Sequence, residues 1–188
     1  MEAFLVSTGI VGLAEMGDKT QLLALVLAAK FRRPWPIVLG MLTATLANHA
    51  MAGAVGAWVT TFLGAQTLRW ILGVSFLAMA VWVLVPDKLD KDVIDKKPPR
   101  FGVYGTTVFM FFLAEMGDKT QIATVMLAAR YDAYFWVVAG TTLGMMLANA
   151  PVVWLGSRFM HLIPLRVVRV LSALVFAVLG VLALAMPG

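Results

Sequence analysis

Nine consecutive residues, Leu13-Ala14-Glu15-Met16-Gly17-Asp18-Lys19-Thr20-Gln21, return unchanged as Leu113-Ala114-Glu115-Met116-Gly117-Asp118-Lys119-Thr120-Gln121. The match continues at the same offset of 100 residues, with Leu27-Ala28-Ala29-Lys30 answered by Leu127-Ala128-Ala129-Arg130 and Gly40 by Gly140. One inserted residue later, Leu46-Ala47-Asn48 is answered by Leu147-Ala148-Asn149. Nine identities in a row mark a duplication, so the chain must fold as two related halves. Between them lies a solvated linker, Asp87 to Arg100, with four aspartates, four lysines, one arginine and Pro98-Pro99. The expected organisation is repeat one over residues 1–86, a charged linker over 87–101, and repeat two over 102–188.

The solvent for these halves follows from composition. Of 188 residues, 61% are hydrophobic and 13% charged, against about half and a quarter in a soluble domain. The chain reads as an integral membrane protein whose first partner is the lipid bilayer. A spanning helix needs about 20 mostly apolar residues, and six such runs stand at about 3–29, 35–60, 68–86, 102–129, 134–157 and 166–186. The fold class expected is an all-α membrane protein with six transmembrane helices. Trp35, Trp70 and Trp136 near the run ends fit an aromatic belt. The net charge of +5 does not point to nucleic acid, because most basic residues flank apolar runs. With six spans, eleven lysines and arginines fall on the linker's side and only Arg69 and Arg130 on the other. The positive-inside rule then puts linker 87–101 in the cytoplasm and both termini outside. The first charge is Glu2, with no basic segment before the apolar run, so no cleaved signal peptide is expected.

Three spans per half is an odd number, so the second half enters the membrane from the opposite face. The two halves are then inverted three-helix repeats about an axis in the membrane plane, with Glu15 and Glu115 near its midplane. Apart from residues at span ends and in the linker, the acidic residues are Glu15, Asp18, Glu115 and Asp118. Each charge at a helix centre costs ~2.5–3.5 kcal/mol, too much for four incidental carboxylates. At i and i+3 the two acids of each motif are expected on one helix face. Gln21 and Gln121 extend that stripe with neutral oxygens, and Asn48 and Asn149 add amide oxygens from the second and fifth spans. The chain has no cysteine and only two histidines, His49 and His161. An all-oxygen set suits a hard ion, Ca²⁺, Mn²⁺ or Mg²⁺. Four carboxylates and two lysines leave −2 if all are ionised, which matches one divalent cation. An acidic cluster in a low dielectric takes up protons when empty and releases them to a cation, sufficient for cation/proton antiport.

Several of these residues have plainer uses. Glu15 with Lys19, and Glu115 with Lys119, stand at i,i+4 and suit internal salt bridges; that pairing leaves Asp18 and Asp118 without an obvious cation. Buried polar residues also glue helices together. Gly17 and Gly117 serve either close helix packing or a local break that exposes carbonyls. Thr20 and Thr120 either ligate or bond back to their own helix. The twelve methionines are dispersed and read as filler. His49 has no histidine counterpart in repeat two, where Ala150 stands at the equivalent place, and His161 is expected at an interface.

The duplicated Glu-x-Gly-Asp-Lys-Thr, with three spans per half and a charged linker, resembles the calcium/manganese–proton exchanger family found from bacteria to the Golgi membrane. The resemblance covers essentially the whole chain. It implies export of Mn²⁺, or alternatively Ca²⁺, from the cytoplasm against protons, with Glu15, Asp18, Glu115 and Asp118 as the transport site. The short linker and absent N-terminal extension look like the bacterial form, hence an inner-membrane location and a preference for manganese. No cofactor is implied beyond the transported ion, and a homo-oligomer is allowed but not required. The rival readings are an exporter of an amino acid or other organic solute, a passive channel, and an intramembrane aspartyl protease. The protease needs an acid and a base in unlike settings, which identical copies do not offer, so no enzyme is expected.

Overall fold

The computed structural model describes residues 1–86, 102–156 and 164–185. The linker, His161 and Arg158 lie outside the described residues. All regular structure among those described is helical, in the order α1 (Glu2–Glu15), α2 (Lys19–Phe31), α3 (Pro34–Thr60), α4 (Ala65–Trp82), α5 (Gly102–Glu115), α6 (Lys119–Tyr131), α7 (Tyr134–Leu155) and α8 (Leu165–Ala185). Four of these, α3, α4, α7 and α8, are long and apolar enough to cross a membrane, and α5 is a shorter apolar helix. Their outward faces carry exposed large apolar side chains such as Ile71, Val74, Leu174 and Val178, as a lipid-facing surface requires.

The first and fourth apolar runs are not the continuous helices their hydropathy suggests. Each is two helices joined at the motif, because Gly17 and Gly117 take φ of +84° and +73°, a conformation that ends a helix and that side chains resist. Asp18 and Asp118 then stand at the N-caps of α2 and α6 in extended conformation, with φ of −81° and −82°. Of the two uses open to these glycines, the structure shows the break. Arg32 and Asp132, 100 residues apart, both adopt left-handed conformations that close α2 and α6. Pro34 then begins α3 where its missing N–H costs nothing.

Packing exchanges the two halves. α1 lies against α7, as α5 lies against α3, while α4 packs on its counterpart α8. The exchange holds residue by residue. A Cβ on Gly40 would lie 2.7 Å from Thr107 Cβ and 2.9 Å from the Tyr104 carbonyl oxygen; one on Gly140 would lie 2.5 Å from the Phe4 carbonyl and 3.0 Å from Ser7 Cβ. Phe4 and Ser7 are Tyr104 and Thr107 less the repeat offset, so one contact is made twice with the halves swapped. Only glycine permits either approach. Phe76 and Phe176, again one offset apart, are both buried, with ring centroids 6.3 Å from each other. These crossings bring the acidic residues of both motifs into the interior.

Candidate cation site

Each motif builds the same local device. The side-chain oxygen of Gln21 accepts the Gly17 N–H at 2.9 Å, and that of Gln121 accepts the Gly117 N–H at 2.7 Å. The Asp18 N–H returns to the Glu15 carbonyl at 3.0 Å, and the Asp118 N–H to the Glu115 carbonyl at 3.1 Å. The end of one helix and the start of the next therefore meet at a fixed turn. Both glutamates and both aspartates are buried.

The break removes the premise of the expected helical stripe. Glu15 and Asp18 belong to different helices, so the i,i+3 and i,i+4 relations across Gly17 no longer describe neighbours. Lys19 pairs not with Glu15 but with Asp118 of the other repeat, Nζ to Oδ1 2.9 Å. The internal pairing of Glu15 with Lys19 along one helix thus gives way to an ion pair between the two repeats. Lys119 is 3% exposed and donates to the Val85 carbonyl at 3.1 Å, beneath the Trp82 ring.

Carboxylate oxygens of Glu15, Glu115 and Asp118 lie within 4.8 Å of one another. Two helices of repeat two and one of repeat one supply them. Asp18 is buried nearby in sequence terms but is not of that trio. Thr20 donates to Glu15 Oε2 at 2.6 Å and Thr120 to Glu115 Oε2 at 3.1 Å, so both hydroxyls serve a carboxylate and not their own helix backbone. Asn149 donates to the same Glu15 oxygen at 3.1 Å. Asn48 donates instead to the Phe112 carbonyl at 3.2 Å, one turn before Glu115. Gln21 and Gln121 commit their oxygens to the turns, and Gln21 also donates to the Ala148 carbonyl at 2.9 Å.

The donor chemistry suits a hard cation. Glu15 Oε1, Glu115 Oε1, Asp118 Oδ2, Asn48 Oδ1 and Asn149 Oδ1 are buried oxygens with no hydrogen-bond partner among the described residues. Buried acceptors left unpaired are costly, and three ionised carboxylates at this spacing repel one another. Protons or a metal ion relieve both strains. His49, also fully buried, has neither ring nitrogen paired among the described residues and is not of the acidic trio. Spacing could not have found Lys19's true partner, because that contact exists only once the halves are assembled.

Long apolar helices around a buried acidic cluster define a membrane transport protein. The chain belongs to the GDT1 family, divalent cation/proton antiporters, whose family model matches residues 3–91 and 103–187. It is similar to a Vibrio cholerae protein named "Putative manganese exporter", 47% identical over 182 residues, covering 96% of this chain and 89% of that one. The yeast protein named divalent cation/proton antiporter GDT1 is 23% identical over 97% of this chain and 83% of its own length. A GDT1-like protein of Oryza sativa is 27% identical over 93% of this chain and 71% of its own. No solved structure matches. The family is one of transporters and not of enzymes, and the organic-solute reading gives way to divalent cations.

Proposed function

We propose that the protein exports Mn²⁺, with Ca²⁺ as the alternative ion, from the cytoplasm of a bacterial cell across the inner membrane in exchange for protons. One site between two inverted three-helix repeats carries the transport. The observation behind this reading is the trio Glu15, Glu115 and Asp118, drawn from both copies of one motif, each with an oxygen unpaired among the described residues. Glu15 and Asp118 are then direct ligands with Glu115, and Asn48 and Asn149 contribute amide oxygens. Thr20 and Thr120 orient the glutamates, while Gln21 and Gln121 hold the turns. Asp18 joins the site in another phase of the cycle, when repeat one takes the place repeat two now holds.

The swapped contacts of Gly40 and Gly140 support the inverted arrangement. The family match falls in two stretches, 3–91 and 103–187, as a duplicated chain requires. α1 and α2 have 14 and 13 residues, reaching about 20 Å each at 1.5 Å per residue. Neither crosses a bilayer alone, but in series they do, with the break near the midplane. The six spans are therefore α1–α2, α3, α4, α5–α6, α7 and α8, with linker 87–101 cytoplasmic and both termini outside. Cytoplasmic cation displaces protons from the carboxylates, the repeats rock, the ion leaves outside, and protons from that side refill the site. The manganese preference is supported by the name of the Vibrio cholerae relative. The test is Mn²⁺ and Ca²⁺ uptake into proteoliposomes with and without a pH gradient, for wild type and Glu15→Gln. Gradient-driven Mn²⁺ flux that disappears in the variant is expected; flux indifferent to the gradient would turn the reading to a channel.

A further inference from the structure

We propose that Lys19 is a tethered counter-cation, whose ammonium holds the site when no ion is bound and must leave Asp118 before the transported ion is seated. The proposal rests on the cation-site reading above and assigns it a positioning residue outside the acidic ligands. Lys19 is the first residue of α2 in repeat one, and Asp118 caps α6 in repeat two. Their side chains meet at 2.9 Å, that of Asp118 only 4% exposed and that of Lys19 24%. The ammonium thus engages one oxygen of a proposed ligand while the other, Oδ2, has no hydrogen-bond partner among the described residues. An ion that draws on Asp118 competes with Lys19 for the same charge.

The surroundings explain why a lysine suits this work. A buried carboxylate stripped of its partner is strongly destabilising, so on the return step Asp118 keeps the ammonium as its counter-charge while protons refill the two glutamates. Lysine carries a point charge on a flexible four-carbon stem. The partial exposure of Lys19 gives that stem somewhere to swing when the ion arrives. Lys119, the same residue in the other copy, is instead wedged at 3% exposure against Trp82 and the Val85 carbonyl. Competition of this kind lowers apparent affinity by the fraction of time the site stands free. It speeds release of the ion for the same reason.

The experiment measures Mn²⁺ uptake kinetics and Mn²⁺/Mn²⁺ exchange in proteoliposomes for wild type, Lys19→Gln, Lys19→Arg and Asp118→Asn. Lys19→Gln should lower KM about tenfold, the low end of a charge-assisted hydrogen bond's worth. Its maximal antiport rate should fall, with exchange maintained, because the vacated carrier lacks its counter-charge. Lys19→Arg should do the reverse to KM, since a guanidinium grips a carboxylate through two donors. A structural role alone would move KM the same way in both variants, or in neither, and either result overturns the proposal. Should Lys19→Gln fail to fold, the arginine variant decides: a raised KM supports the tether, an unchanged or lowered one sinks it. Uptake that survives Asp118→Asn would remove the site assignment itself, whereas uptake lost there with KM unmoved in Lys19→Gln removes only the role of Lys19.

Discussion

The two copies of the motif make the same turn and then live in different places. Gly17 and Gly117 share a positive φ, and the following aspartates agree to within a degree in theirs. Beyond the turn the copies part. A Cβ on Gly17 would lie 2.6 Å from Leu165 Cδ2, while one on Gly117 would meet nothing within 4 Å among the described residues. Gln21 is fully buried and reaches α7, whereas Gln121 is half-buried beside Met116, which is 52% exposed. Glu15 receives both Thr20 and Asn149, and Glu115 receives Thr120. Local sequence therefore dictates the break, and tertiary neighbours dictate which break is sealed. Such inequality fits a carrier with access to one face at a time.

The largest effect should come from the aspartates, identical in sequence yet unequal in placement. Asp118→Asn is expected to cut initial Mn²⁺ uptake roughly 100-fold and Asp18→Asn roughly tenfold, the spread between a ligand and a group beyond it. Equal losses would mean that Asp18 holds the ion as tightly in its own phase of the cycle as Asp118 does in this one. Next come the glutamines. Gln21→Ala strands the half-buried Gly17 N–H and removes a second bond from the Ala148 carbonyl, at about 0.5–1.5 kcal/mol each; Gln121→Ala, beside a more exposed turn, should cost under about 1 kcal/mol. Unfolding of the detergent-solubilised variants measures both, and similar costs would undo the distinction between sealed and open breaks.

The glycines sharpen it further. Alanine at either position carries about 1–2 kcal/mol for its left-handed backbone, and Gly17→Ala also meets Leu165. Adding Leu165→Ala should bring Gly17→Ala level with Gly117→Ala in thermal stability, and leave Gly117→Ala itself unchanged. The smallest contrast lies in the asparagines. Asn149→Ala should raise KM for Mn²⁺ about fivefold by freeing Glu15, as one lost hydrogen bond suggests. Asn48→Ala, whose amide holds only a backbone carbonyl, should raise it less; a reversed order would make Asn48 the closer ligand.

Much of this was legible in the sequence for physical reasons. Apolar runs fix where helices form, and the cost of charge in lipid singles out Glu15, Asp18, Glu115 and Asp118. The duplicated motif then implies that its two copies meet, as Glu15, Glu115 and Asp118 do. The pairing of Lys19 was hidden, because helical spacing holds only along an unbroken helix. Gly17 had two plausible uses, and a positive φ is not written in a residue that tolerates every φ. The unequal sealing of the two turns was out of reach for a simpler reason: nine identical residues cannot encode a difference between themselves. Leu165 and Trp82, distant in sequence, supply it.

The central claim is that two copies of one motif make a single shared site. The most direct test counts the ions: Mn²⁺ binding to the purified protein by calorimetry, in buffers of differing ionisation enthalpy so that released protons are counted as well. One Mn²⁺ per chain is predicted, bound with proton release and lost in both Glu15→Gln and Glu115→Gln. Two ions per chain, one surviving in each variant, would contradict it and give each motif a site of its own.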